Sequence, residues 1–114
     1  MARTVLVVDD EPAVLEVVAS MLEDLGCKVV TALNATDALE LLAENEQIEV
    51  LFTDVNMPGM CGYELGDKAR RIRADLQVML LSGRESDGRG YPMVRKPFAI
   101  QDLARAMQHT TGMC

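Results

Sequence analysis

The feature that most constrains this chain is Thr4-Val5-Leu6-Val7-Val8, a β-branched apolar run that stops at two adjacent acids, Asp9 and Asp10. A strand with one wet face alternates apolar and polar residues. A continuous run is the pattern of a strand covered on both faces, as in a parallel sheet flanked by helices. The segments that follow keep to this plan. Pro12 is a favoured first-turn residue and opens a helix. Its apolar positions Val14, Leu15, Val18, Met21, Leu22 and Leu25 recur at three- and four-residue steps, and Gly26 stops it. Lys28–Ala32 reads as a second strand. Asn34 is an N-cap with Asp37 three residues on, before a helix carrying Ala38, Leu39, Leu41 and Leu42.

The alternation continues to the end of the chain. Val50–Thr53 is a third strand ending at Asp54. After the loop Asn56-Met57-Pro58-Gly59-Met60, a more polar helix runs from about Tyr63 to Arg73. Gln77–Leu81 is a fourth strand ending at Ser82, and Met93–Arg95 is a short fifth. A last helix from near Ile100 puts Ile100, Leu103, Ala104 and Met107 on one face. Strands alternating with helices predict a parallel sheet with helices on both sides.

The totals set bounds. The length of 114 residues is that of one domain, here residues 1–114, and 49% hydrophobic residues are enough for a core. A net charge of −7 argues against a nucleic-acid surface, which needs a basic stripe. Three cysteines without a Cys-x-x-Cys spacing argue against a disulfide framework or a thiolate zinc site and fit a reducing compartment. A single histidine, His109, excludes a multi-histidine metal cage and is assigned to the surface. With no secretory leader and no membrane-length apolar stretch apparent, a cytoplasmic location is expected.

Asp9, Asp10, Asp54, Ser82 and Lys96 all fall at or just past the carboxyl ends of predicted strands. In an open parallel sheet those ends share one edge, and ligands bind there. Three carboxylates crowded in a small site repel one another. Mg²⁺ resolves the conflict, since it accepts one or two protein carboxylates, keeps several waters and takes phosphate oxygens. With the metal held by Asp9 and Asp10, Asp54 is a candidate nucleophile toward phosphorus, and an acyl phosphate is the product. Lys96 and Ser82 are then placed to meet the other phosphoryl oxygens. Singly, each residue has a plainer reading: the acid pair as a helix entry, Asp54 as a turn former, Lys96 as a surface lysine.

The motifs VVDDEP, DVNMPGMCGYEL from Asp54, LLSG around Ser82 and RKPF around Lys96 resemble, in this order, the CheY-like receiver domain of response regulators in two-component and phosphorelay signalling. The resemblance implies a flavodoxin-like, doubly wound α/β fold: a five-stranded parallel sheet of order 2-1-3-4-5 with helices on both faces. It implies phosphorylation of Asp54 by a histidine kinase or histidine phosphotransfer protein. It implies Mg²⁺ held by Asp9, Asp10, Asp54 and the backbone carbonyl of Asn56, with Ser82 and Lys96 completing the catalytic set and a cis bond between Lys96 and Pro97. The chain is expected to be a phospho-acceptor rather than an enzyme acting on a separate substrate. It is expected to be a single-domain regulator with a downstream protein target; the alternatives are a receiver excised from a larger hybrid kinase or regulator, and a Mg²⁺-dependent aspartyl-nucleophile phosphatase. The phosphatase pattern needs a second acid at the position of Asn56, which is absent.

Two departures from the family stand out. Residues 83–95, thirteen in all, separate Ser82 from Lys96, fewer than usual. The stretch Gly-Arg-Glu-Ser-Asp-Gly-Arg-Gly-Tyr has no aliphatic side chain to bury, so the fourth helix is expected to be reduced or absent. Met93 stands where the family often has an aromatic switch residue, and Tyr91 is the possible substitute. Met57 and Met60 are candidate partner contacts beside the acids. The basic cluster Lys68, Arg70, Arg71 and Arg73 reads as the solvated face of the third helix.

Overall fold

The computed structural model describes residues 3–54, 61–82 and 93–95, with the backbone alone for 82 and 93–95. The chain runs β1 (Thr4–Val8), α1 (Pro12–Asp24), β2 (Lys28–Ala32), α2 (Ala35–Glu44), β3 (Ile48–Asp54), α3 (Gly62–Ile72), β4 (Gln77–Ser82) and β5 (Met93–Arg95). The strands form one sheet of order β2-β1-β3-β4-β5, all parallel, as the resemblance implied. The expectations for the fourth helix, the last helix, the Lys96–Pro97 bond, Met57, Met60, Tyr91 and His109 lie outside the described residues.

Every residue of β1 is buried. The even–odd pleat sorts its side chains to opposite sides. Val5 and Val7 join Val50, Phe52, Met79 and Leu81 against Leu15, Val18 and Leu22 of α1. Leu6 and Val8 join Leu51, Val78 and Leu80 against Ala35, Ala38 and Leu42 of α2 and Tyr63, Leu65 and Ala69 of α3. The sheet thus has two apolar faces, which is why β1 carries no polar residue between Thr4 and Asp9.

Local punctuation follows the sequence closely. Gly26 has φ 91°, a left-handed conformation natural to glycine. It closes α1 with two reversed bonds: Gly26 N–H to Glu23 O at 2.9 Å and Cys27 N–H to Leu22 O at 3.0 Å. This is a Schellman closure, completed by apolar packing in the cluster that holds both Leu22 and Cys27. Asn34 caps α2, its Oδ1 accepting from Asp37 N–H at 2.8 Å.

Three readings need correction. β3 begins at Ile48, not Val50, because Glu49 interrupts the apolar run. The ladder skips it: Thr4 pairs with Ile48 and Val5 with Val50, so Glu49 is the extra residue of a bulge. The bulge turns Glu49 outward, where it forms an ion pair with Arg3. Second, Arg73 is not on a solvated face. It caps the end of α3 and donates to the carbonyls of Ile48, Leu42 and Asn45. Third, Cys27 is buried and disulfide-bonded, while Cys61 is a free thiol.

Candidate phospho-acceptor site

The site follows from the parallel register. Val8 pairs with Thr53, so the residues that follow them, Asp9 and Asp54, arrive side by side at the carboxyl end of the sheet. Asp54 pairs in turn with Leu81, the residue before Ser82, and Ser82 pairs with Arg95, the residue before Lys96. The ladder therefore brings the chain at Asp9, Asp54 and Ser82 to one edge. Lys96 and Asn56 themselves lie outside the described residues, and for Ser82 only the backbone position is given.

Asp9, Asp10 and Asp54 converge: one carboxylate oxygen from each lies within 4.8 Å of the others. Asp9 is 1% exposed and Asp54 8%, while Asp10 is open to solvent. Their environments differ for local reasons. The Asp9 N–H donates to Ala32 O at 3.2 Å, prolonging the β1–β2 ladder by one rung and holding Asp9 at the sheet edge. Its Oδ1 accepts from Glu11 N–H at 3.0 Å, just before α1 begins. The positive end of α1 favours negative charge there. The helix-entry reading of the acid pair and the metal reading are thus compatible, because a carboxylate has a second oxygen and further lone pairs to offer.

These oxygens suit a small hard cation. An octahedral Mg²⁺ with oxygens at about 2.1 Å holds adjacent ligands about 3 Å apart and opposite ones about 4.2 Å apart. A set already within 4.8 Å needs only small side-chain adjustments to meet that geometry. The donors are all oxygen, which matches Mg²⁺ and not the softer metals.

One residue at the site was missed in the sequence. Thr53 is fully buried, and its Oγ1 donates to the carbonyl oxygen of Asp54 at 3.1 Å. The available signal was a hydroxyl at a strand position otherwise occupied by apolar side chains. Cys61, at the start of α3, has its Sγ 3.8 Å from Glu64 Oε1, an interaction within the helix's own first turn.

The chain matches the response regulator receiver domain over residues 5–108, and it belongs to that family. It is a receiver domain of two-component signalling, homologous both to response regulators and to part of a histidine kinase. It is 32% identical over 121 residues to the probable transcriptional regulatory protein TcrX of Mycobacterium tuberculosis, an alignment spanning 96% of this chain and 51% of that protein. Over 75 residues it is 40% identical to the sensor histidine kinase RcsC of Escherichia coli, spanning 66% of this chain and 8% of the kinase. The chain therefore spans about half of the first relative and a small part of the second. Among solved structures, the chemotaxis protein CheY4 of Vibrio cholerae superposes with a TM-score of 0.89 at 28% identity, covering 96% of this chain and 99% of that one. The receiver domain of the hybrid histidine kinase CckA gives 0.83 at 36% identity, covering 94% and 97%. No helix among the described residues is long and apolar enough to cross a membrane.

Proposed function

We propose that the chain is a Mg²⁺-dependent phospho-acceptor, taking a phosphoryl group on Asp54 from a histidine kinase or histidine phosphotransfer protein. The observation that carries this is the convergence of three carboxylates, from strand ends more than forty residues apart in sequence, at the ligand-binding edge of a receiver fold. In the proposed step a carboxylate oxygen of Asp54 attacks the phosphorus of a phosphohistidine. The new P–O bond forms as the P–N bond breaks, and the released imidazole takes up a proton. Asp9, Asp10, Asp54 and the carbonyl of Asn56 would hold Mg²⁺, which when bound neutralises the acid cluster and one phosphoryl oxygen. Lys96 supplies an ammonium to a second oxygen and Ser82 a hydroxyl to the third. The protein's share is positioning and charge compensation, which is most of what phosphoryl transfer requires.

The protein serves as its own substrate, promoting its own phosphorylation and dephosphorylation rather than turning over a separate molecule. A dianion tied to Ser82, Lys96 and Mg²⁺ favours one arrangement of the site's rim and shifts the population toward it. That shift is the proposed output to a downstream protein in the cytoplasm.

Intact mass after incubation with Mg²⁺ and a small-molecule acyl phosphate tests the proposal, with Asp54→Asn and an EDTA control alongside. One added phosphate, lost in the variant and without metal, is the expected result. An adduct that persists in Asp54→Asn would refute the assignment.

A further inference from the structure

Thr53 is out of character with its surroundings. It pairs with Val8 on one side and Leu80 on the other, and both belong to the apolar layer that α2 and α3 cover. Two residues earlier on the same face of β3 stands Leu51, in that layer too. Valine has nearly the shape of threonine, a high strand propensity and no polar atom to desolvate. Packing alone therefore favours valine at this position. A hydroxyl with no exposure is retained at a cost unless its hydrogen bond does something an apolar group cannot.

Its described bond is to the carbonyl oxygen of Asp54, the residue whose side chain enters the acid cluster. A carbonyl is rigidly coplanar with the next N–H, so fixing that oxygen fixes the whole peptide plane leaving Asp54. Asp54 is the last residue of β3. We propose that Thr53 is a positioning residue for the phospho-acceptor. Through the Asp54 carbonyl, its hydroxyl sets the direction in which the Asp54 side chain is presented to the acid cluster. Thr53 touches neither metal nor phosphoryl group in this role; it acts through Asp54, and the inference rests on the phospho-acceptor reading.

The test compares the unaltered chain with Thr53→Val and Thr53→Ser. Three quantities are measured: the rate of phosphorylation by an acyl phosphate at saturating Mg²⁺, the urea midpoint, and the carbonyl ¹³C shift of Asp54. Thr53→Val should phosphorylate about three- to tenfold more slowly, the weight of one hydrogen bond. Its urea midpoint should stay level or rise, because an apolar group replaces a buried hydroxyl. The Asp54 carbonyl shift should move in Thr53→Val and stay close to the unaltered value in Thr53→Ser, which keeps the hydroxyl and should recover most of the rate. A merely structural residue would show the reverse split, with stability lost and the rate per folded molecule kept. Equal rates for Thr53→Val and the unaltered chain overturn the proposal, as does a Thr53→Ser variant as slow as Thr53→Val. If the unaltered chain takes no phosphate at all, the phospho-acceptor reading falls first and this inference with it.

Discussion

Arg73 shows best how a single residue can differ from the pattern that surrounds it. By spacing it belongs with Lys68, Arg70 and Arg71, and the latter three are indeed exposed. Its guanidinium instead reaches three backbone carbonyls: Leu42 in the last turn of α2, Asn45 just beyond it and Ile48 at the start of β3. Helix C-termini leave carbonyls without partners, and a cation is favoured there. One fork of donors thus fastens the α2–β3 connection to the end of α3. Arg73→Ala should lower stability by about 2 kcal/mol, the range for hydrogen bonds to a charged group, read as a shifted urea midpoint at unchanged slope. Arg73→Lys should restore less than half of the loss, because an ammonium cannot span three acceptors as a planar fork does. None of this was legible in the sequence. Acceptors 25 to 31 residues away are backbone atoms, which every residue has, so no side-chain pattern marks them. The place of Asp9, by contrast, was legible, because an acid directly after an apolar strand stands at that strand's carboxyl end.

Among the elements, those bounded by local chemistry were read well. β1, β2 and β5 have the expected limits, and so do the stop of α1 at Gly26 and the cap of α2 at Asn34. Glycine at positive φ and a side chain that accepts from its own helix are effects of adjacent residues, so the sequence carries them directly. The start of β3 was not read, because a bulge is a property of two strands and Glu49 looks like a boundary until β1 is beside it. Strand order is equally non-local and entered only through family resemblance. The Schellman closure gives a test at this scale. Gly26→Ala places a Cβ in a left-handed conformation and should destabilise by about 1 kcal/mol. The loss should appear as a lower urea midpoint with the phosphorylation rate per folded molecule unchanged, since α1 ends at the far side of the domain from Asp9. A slowed rate would show that the end of α1 is coupled to the site.

For the whole molecule the governing quantity is charge. The protein carries a net −7, and three of its carboxylates sit within 4.8 Å of one another. Folding without metal works against that repulsion. A ligand that binds the folded chain alone adds stability in proportion to the logarithm of its concentration over Kd, about 1.4 kcal/mol at ten times Kd. Mg²⁺ should therefore raise the urea midpoint, and Asp54→Asn should shrink the increment while stabilising the metal-free chain. Denaturation curves at several Mg²⁺ concentrations and constant ionic strength check both statements. Equal midpoints with and without Mg²⁺ would contradict the metal assignment.

The strand order also has a consequence in time. Asp9, Asp10 and Asp54 all precede Lys96 in the chain, and β3 lies beside β1, so these acids and their two strands leave the ribosome before β4 and the residues after it do. Lys96, the proposed counter-charge, is made 42 residues after Asp54. At roughly 5–20 residues per second, translation leaves an interval of about 2–8 s between them. Ribosome-bound chains stalled with Asp54 outside the exit tunnel and Lys96 still within it, probed by protease with and without Mg²⁺, should be better protected with the ion; equal cleavage would refute this. During each round of synthesis, the acids precede their proposed lysine, and a divalent cation is the counter-charge that would be at hand in the meantime.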